Sequence, residues 1–489
     1  MLRPAAQAQT LNDSSQKQLR EVLAETARGH VAPAQRKKLA GIRISPSGYF
    51  AVAALLTFTA LLCLRTHRDF TALTLIAGTW TVIPLLVLTN RLSFDGQTIS
   101  RTGLAALLIR LVRGRTQNIA VDDVERVEVA TLRTLRRGGK VRYRYRVEIA
   151  GQGSAFVLAS GGREFRRMVS VLLPRIGDYK LDARAGELRD HLIDVKTVRE
   201  EAAKLGIAST SLLEETTDAK RADKYRAAIS AKQTDNDQRP QQEPERASLL
   251  RKSANDLRIA GYLQQSGEAF RRALLITPRS PWLIYEYARL LKSQASAFSD
   301  ARLLGRACAA LRLAAMRGPK DAGLLERIGE SFLEYGDPVR AAKLFRRALD
   351  LNENAYRAQL GLAEVGLTDG KLAHVIHHYN DAVRIAPDKA TAGLARRESD
   401  YYSRLNNDED YLAAELRRMN WLEGAHRVQH LAGRVSFAAM LIAVAGSSVD
   451  QVVAGLGWAL ASSSLIAWSG SLITRKLLAT RGRPQTSDA

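Results

Sequence analysis

Two long apolar stretches interrupt an otherwise mixed sequence. No charged side chain falls within Ile44–Leu64 or within Phe70–Asn90, and each stretch has the length, about 20 residues, that a helix needs to cross a hydrocarbon core. A further apolar block, Val435–Thr474, contains one charge, Asp450. It has room for two short helices turning near Asp450, or for one spanning helix and an interfacial piece. Between these blocks the period changes. Leu92-Ser93-Phe94 and Thr98-Ile99-Ser100 flank Asp95-Gly96, a favoured hairpin turn, and Val141, Tyr143 and Tyr145 alternate with Arg142, Arg144 and Arg146, so these segments read as strands. Val127–Thr131 and Ser154–Leu158 read as further strands, and Gly162–Ile176 as a closing amphipathic helix. Apolar residues at helical spacing from Leu188 to Leu205 predict another helix, followed by a polar one reaching Ile229. Lys232–Glu245, with hardly an apolar residue, reads as a linker.

Beyond the linker the sequence repeats. Gly336 recurs as Gly370, Phe345 as Tyr379, Ala348 as Ala382 and Gly329 as Ala363, a period of roughly 34 residues. Phe270, Ala273 and Pro278 repeat the spacing of Tyr379, Ala382 and Pro387, and Leu311, Ala314 and Pro319 repeat it again, with Ser293–Ser299 reading as an insertion. This register resembles that of tetratricopeptide repeats and predicts four antiparallel helix pairs between about Ala247 and Lys389. Small residues (Gly329, Ala341, Ala348) allow the helices to approach, while Phe345 and Tyr379 fill the seams. Helices after Thr391 and across Asp410–Gln429 are expected to cap the stack. The stretch from Arg91 to Ile176, with Ile119–Val129 reading IAVDDVERVEV, resembles bacterial PH-like domains that follow a pair of membrane helices.

The chain has a formal charge of +23, which in a soluble protein would suggest nucleic acid. With spanning helices present, basic flanks explain the excess. Arg36, Lys37, Lys38 and Arg43 precede the first helix and Arg475, Lys476, Arg481 and Arg483 follow the last. Both termini and the soluble region are therefore expected in the cytoplasm, despite Arg65 and Arg68 in the intervening turn, and nucleic acid is not expected as a partner. No signal peptide is expected, since the first apolar stretch follows some forty polar residues. Cys63 and Cys308 are the only cysteines, too few for a disulfide framework or a Cys-based zinc site.

Phosphate-binding glycine loops, His-Glu-x-x-His and Gly-x-Ser-x-Gly are all missing from the sequence, so neither enzymatic activity nor a cofactor is expected. His374, His377 and His378 fall within one helical turn and are read as a surface cluster rather than a metal site. Arg136, Arg137, Lys140, Arg142, Arg144 and Arg146 form a basic strand region with two readings. One is a solvated edge that discourages aggregation, and the other is contact with anionic lipid headgroups. Gly457, Ala461 and Ser464, with Gly470 beyond, offer close helix packing within the chain or between copies.

The fold expected is mainly α: a tetratricopeptide-like solenoid joined to transmembrane helix pairs and a small β-rich domain. Its parts are a polar tail (1–43), a transmembrane pair (44–90), the β-rich domain (91–176), a helical segment (177–231), a linker (232–246), the solenoid with capping helices (247–430), a transmembrane hairpin (431–476) and a basic tail (477–489). The repeat resemblance implies a concave groove for a protein or peptide. It is lined by Arg251 and Asn255; Trp282, Tyr285 and Arg289; Glu326 and Glu330; and Arg357, Leu360 and Glu364. Some family members clamp a C-terminal carboxylate with basic and Asn side chains, and Arg251 and Asn255 match that by spacing. The groove is basic and aromatic at one end and acidic at the other, so it should prefer a peptide of opposite polarity. The function expected is a scaffold that gathers partner proteins at a bacterial cytoplasmic membrane. The alternative is an accessory subunit of an envelope transport or polymer-synthesis machine.

Overall fold

The computed structural model describes residues 38–44, 47–113, 117–135, 141–151, 154–160, 162–207 and 243–478. Most of the expected polar tail, the polar helix to Ile229, most of the linker, Arg136, Arg137 and Lys140, and the last residues of the basic tail lie outside the described residues.

The first apolar pair rises directly out of a sheet. Strand β1 (Ala40–Arg43), helices α1 (Ser47–Arg65) and α2 (Asp69–Thr89), and strand β2 (Arg91–Phe94) follow in order. β1 pairs antiparallel with β2, Ala40 opposite Phe94 and Arg43 opposite Arg91, so the end of the expected tail is a strand. β3 (Thr98–Thr102) and β4 (Asn118–Ala120) complete this four-stranded sheet, and β5 (Val124–Leu135), β6 (Val141–Gly151) and β7 (Ser154–Ala159) form a three-stranded one. Helix α3 (Leu104–Arg113) lies between β3 and β4 in the chain. α4 (Arg163–Leu172) closes over a core that joins Phe94, Ile99, Val127 and Val147 to Phe165, Met168 and Leu172. At the foot of the helix pair, buried Asn90 donates to the Tyr49 hydroxyl (2.9 Å) and accepts from Arg101 Nε (2.9 Å). This network fixes the helices to the sheet while giving the buried amide its partners.

The expected helix Leu188–Leu205 is two helices, α5 (Ala183–His191) and α6 (Val195–Lys204), parted before Asp194. The solenoid then stacks α7 (Glu243–Ala260) on α8 (Leu263–Ile276), α9 (Pro281–Phe298) on α10 (Ala301–Arg317), α11 (Ala322–Glu334) on α12 (Pro338–Leu351), and α13 (Tyr356–Thr368) on α14 (Leu372–Ile385). These are four tetratricopeptide-like pairs. The apparent insertion at Ser293–Ser299 does not break a helix. It lengthens α9, which ends at Ser299 in the left-handed region, φ 54°. The turns of the other pairs use Gly261, Gly336 and Gly370, all at positive φ. Side chains of Ser280, Asp300, Asp321 and Asp337 accept hydrogen bonds from the first turns of their helices, supplying partners for otherwise orphaned N–H groups. Phe345 lies against both Gly329 and Gly361, where an added Cβ would stand 2.6 and 2.4 Å from its ring.

α15 (Lys389–Asn407) covers the open end of the stack through Ala395. The next helix, α16 (Glu409–Gly446), differs from the expected separate cap. It runs on for 38 residues, with no break near Gln429. α17 (Gln451–Leu478) returns beside it, giving two apolar helices in Val435–Thr474. Their register is antiparallel: Arg418 Nη1 meets the Leu478 carbonyl at 2.5 Å, and Gly433 and Gly457 lie against Trp468 and Ala443. Phe58 of α1 packs with Ala439 and Ala461, its ring 5.9 Å from that of Trp458. The N-terminal and C-terminal apolar pairs thus meet, and the Gly457–Ala461 face packs within the chain. Asp69–Thr89, Glu409–Gly446 and Gln451–Arg475 are long and apolar enough to cross a membrane, and a shorter apolar helix spans Gly48–Leu64.

Candidate protein-binding face

The concave face of the solenoid is covered by the chain's own residues 178–191. The segment runs across the first helices of the pairs in reverse order. Asp178 meets Arg327 of α11 at 3.0 Å and Arg357 of α13 at 3.5 Å, while Arg357 also donates to the Leu181 carbonyl. Arg184 pairs with Glu334 at 2.6 Å, and Glu187 pairs with Arg289 at 2.9 Å and Arg258 at 3.0 Å. His191 Nδ1 sits 2.8 Å from buried Asp256. At the other end, Tyr179 and Lys180 reach Asp388, and Glu125 pairs with Arg397. The Gly261 turn lies against the start of β6, its carbonyl accepting from the Val141 amide.

Burial alone would raise the Glu187 carboxyl, but the Arg258 and Arg289 guanidinium groups outweigh it and hold the group at about 2. Glu334 is likewise held at about 2, where Arg289 and Arg184 overcome desolvation. Such enclosed pairs add little net stability because desolvation opposes the attraction. Removing one member, however, strands its partner in a poorly hydrated site.

The residues expected to line the groove therefore have different surroundings. Arg251 and Asn255 do hold a carboxylate, but it is that of Glu286, at 2.6 Å from Arg251 Nη2 and 2.8 Å from Asn255 Nδ2. Tyr285 is 7% exposed within the solenoid core, and Trp282 stands edge-on to it at 5.9 Å and donates to Asp321 at 2.8 Å. The two rings face the seam between helices rather than an open concavity. Arg289, Glu330 and Arg357 belong to the ion-pair ladder, with Glu330 Oε1 3.0 Å from Arg357. Half-buried Glu326 is pushed up to about 7, chiefly by desolvation, with Arg357 opposing the rise. Leu360 packs beside Tyr356, and Glu364 is exposed.

Segment 178–191, which supplies the other half of the ladder, is missing from the expected groove. Its signal is the alternation Asp178, Lys180, Asp182, Arg184, Glu187, Arg189 in the sequence. Arg327, beside Glu330 on α11, makes the expected acidic end of the groove mixed in charge.

Of the basic strand, Arg142, Arg144 and Arg146 are exposed; β6 pairs with β5 along its length but with β7 only from Arg146 to Gly151, so Arg142 and Arg144 have a strand neighbour on one side alone. A different apolar surface emerges on α3, where Leu107, Leu108 and Leu111 are exposed. Gly103, just before it, abuts the end of α2, with an added Cβ only 2.1 Å from the Thr89 carbonyl. The spacing of Leu104, Leu107, Leu108 and Leu111 marks this helix in the sequence. His374 stands apart from the compact group His377, His378 and Asp381, whose ligand atoms lie within 4.8 Å of one another. Arg384 already pairs with Asp381, and Gln359 with His378 at 2.9 Å.

No family model and no curated protein matches the chain. Among solved structures it is similar to a thermophilic TPR protein in Thermus thermophilus, at 19% identity over 40% of this chain and 98% of that one, with a TM-score of 0.28. It is also similar to MamA (18%, 33% and 95%, TM-score 0.25) and to the yeast Tom70 (14%, 52% and 58%, TM-score 0.30). At such TM-scores the likenesses add nothing to the assignment, which rests on the stacked hairpins.

Proposed function

We propose that this chain is a multi-pass scaffold of a bacterial cytoplasmic membrane, whose solenoid binds partner proteins and whose concave face is held by residues 178–191 until a partner competes for it. The observation that carries this reading is the ion-pair ladder from Asp178 to Glu187. Such a ladder is complementary to a polypeptide of alternating charge, so a partner segment with the same alternation could replace the internal one. Contact between the two apolar helix pairs, through Phe58 and Trp458, supports a single membrane base below both soluble parts. The basic flanks support a cytoplasmic location. Two sheets followed by α4 are consistent with the PH-like reading of the β-rich domain. Exposed leucines on α3, beside the foot of α2, suit the headgroup boundary.

Affinity capture from detergent-solubilised membranes tests the reading. Replacing Arg184 and Glu187 by Ala should increase capture of specific proteins, and removing residues 247–389 should abolish it. Equal capture by all three chains would refute the scaffold role. Topology is tested in a chain with Cys63 and Cys308 replaced by Ala. A cysteine at exposed Thr66 or Ser448, in the helix turns, should react with an impermeant thiol reagent in intact cells. One at exposed Lys320 should react only after lysis.

A further inference from the structure

Where β5 and β6, α5 and the solenoid meet, a cavity of about 170 Å³ remains. Its walls carry Arg133, Arg184, Arg258, Arg289 and Lys292 against only Glu187 and Glu334, a formal excess of three positive charges. The two carboxylates are already consumed by Arg184, Arg258 and Arg289. Among the described residues no carboxylate pairs with Arg133 or Lys292, and the Lys292 ammonium rests 4.7 Å from the Tyr335 ring centre.

A further donor lacks an acceptor. Arg258 is 5% exposed and its Nε has no hydrogen-bond partner, although its other nitrogens reach Glu187 and Asn255. The Tyr143 hydroxyl, buried in the same lining, has Ser293 beside it as a hydrogen-bonding neighbour. An unmet donor is costly in a poorly hydrated site. In a cavity with surplus positive charge, it calls for an acceptor-rich anion.

We propose that this cavity binds a small phosphate-bearing anion, which would tie the β-rich domain to the solenoid. A phosphoryl group supplies several acceptor oxygens and enough negative charge to offset the excess. A free phosphate compound and a lipid headgroup share this chemistry.

The test uses the full chain in zwitterionic nanodiscs, titrated with inorganic phosphate and, separately, with sodium chloride at matched ionic strength. Phosphate should bind saturably and raise the thermal midpoint more than chloride does. The double variant Arg133→Ala, Lys292→Ala removes neither member of an ion pair described above. It should keep the ligand-free midpoint and weaken phosphate binding at least tenfold. In nanodiscs containing phosphatidylglycerol, loss of phosphate binding would identify the headgroup as occupant, and retained binding would identify the free anion. A phosphate effect no larger than that of chloride, or equal phosphate affinity in the double variant, would overturn the proposal.

Discussion

Gly261 stands so close to Val141 that a Cβ on the glycine would lie 1.9 Å from the valine carbonyl oxygen. Its φ of +89° also disfavours any other residue. This contact joins the first solenoid turn to the start of β6. Gly261→Ala should therefore lower the thermal midpoint of the full chain by several degrees. Gly305→Ala is the control, since nothing lies within 4 Å of an added Cβ in its helix. That change should leave the midpoint unchanged or raise it. Equal effects would argue against the close approach.

Glu187→Gln leaves Arg258 and Arg289 enclosed with less compensating charge. The expected loss is about 3 kcal/mol, in the range for breaking a buried pair, measured by unfolding of the full chain in detergent. The pH dependence follows from the folded values. Glu187 and Glu334, ordinarily near 4.5, are held at about 2, so the stabilisation is present above about 4.5 and fades as pH falls toward 2. The midpoint of the Gln variant should converge on that of the wild type across this window.

Glu326 titrates in the opposite sense. Its carboxyl is raised from 4.5 to about 7 by burial, so the folded state retains the proton more strongly. Stability then falls as pH rises from 4.5 through 7, and the cost is fully present above 7. Glu326→Gln should raise the midpoint at pH 8 and change it little at pH 4. A uniform shift across this range would contradict the assignment.

Tyr285 belongs to the buried solenoid core that also holds Ile284, Ala288 and Ile328. Tyr285→Ala should cost about 3 kcal/mol through the cavity it leaves. An unchanged midpoint would return the ring to an open, partner-facing surface.

The apolar blocks and the 34-residue register made the helices legible, because both patterns arise from local period and side-chain size. The nine-residue interval from Gly261 to Phe270 matches those from Gly336 to Phe345 and from Gly370 to Tyr379, so the turn of the first pair was readable as well. The pairing of Ala40–Arg43 with Arg91–Phe94 was not, since an apolar helix pair separates the two strands. Nor was the occupant of the concave face. Family register places Arg289 and Arg357 on that face, but only the tertiary fold brings Glu187 and Asp178 to them.

The central claim, that the solenoid holds residues 178–191 on its concave face, is tested most directly by a double-mutant cycle between Glu187→Gln and Arg289→Gln. Contacting residues commonly couple by about 0.5–3 kcal/mol, whereas separated ones add to within about 0.5 kcal/mol. The 2.9 Å ion pair predicts that the double variant is less destabilised than the sum of the singles, by more than about 1 kcal/mol. Simple additivity, measured on the full chain at neutral pH, would contradict the account.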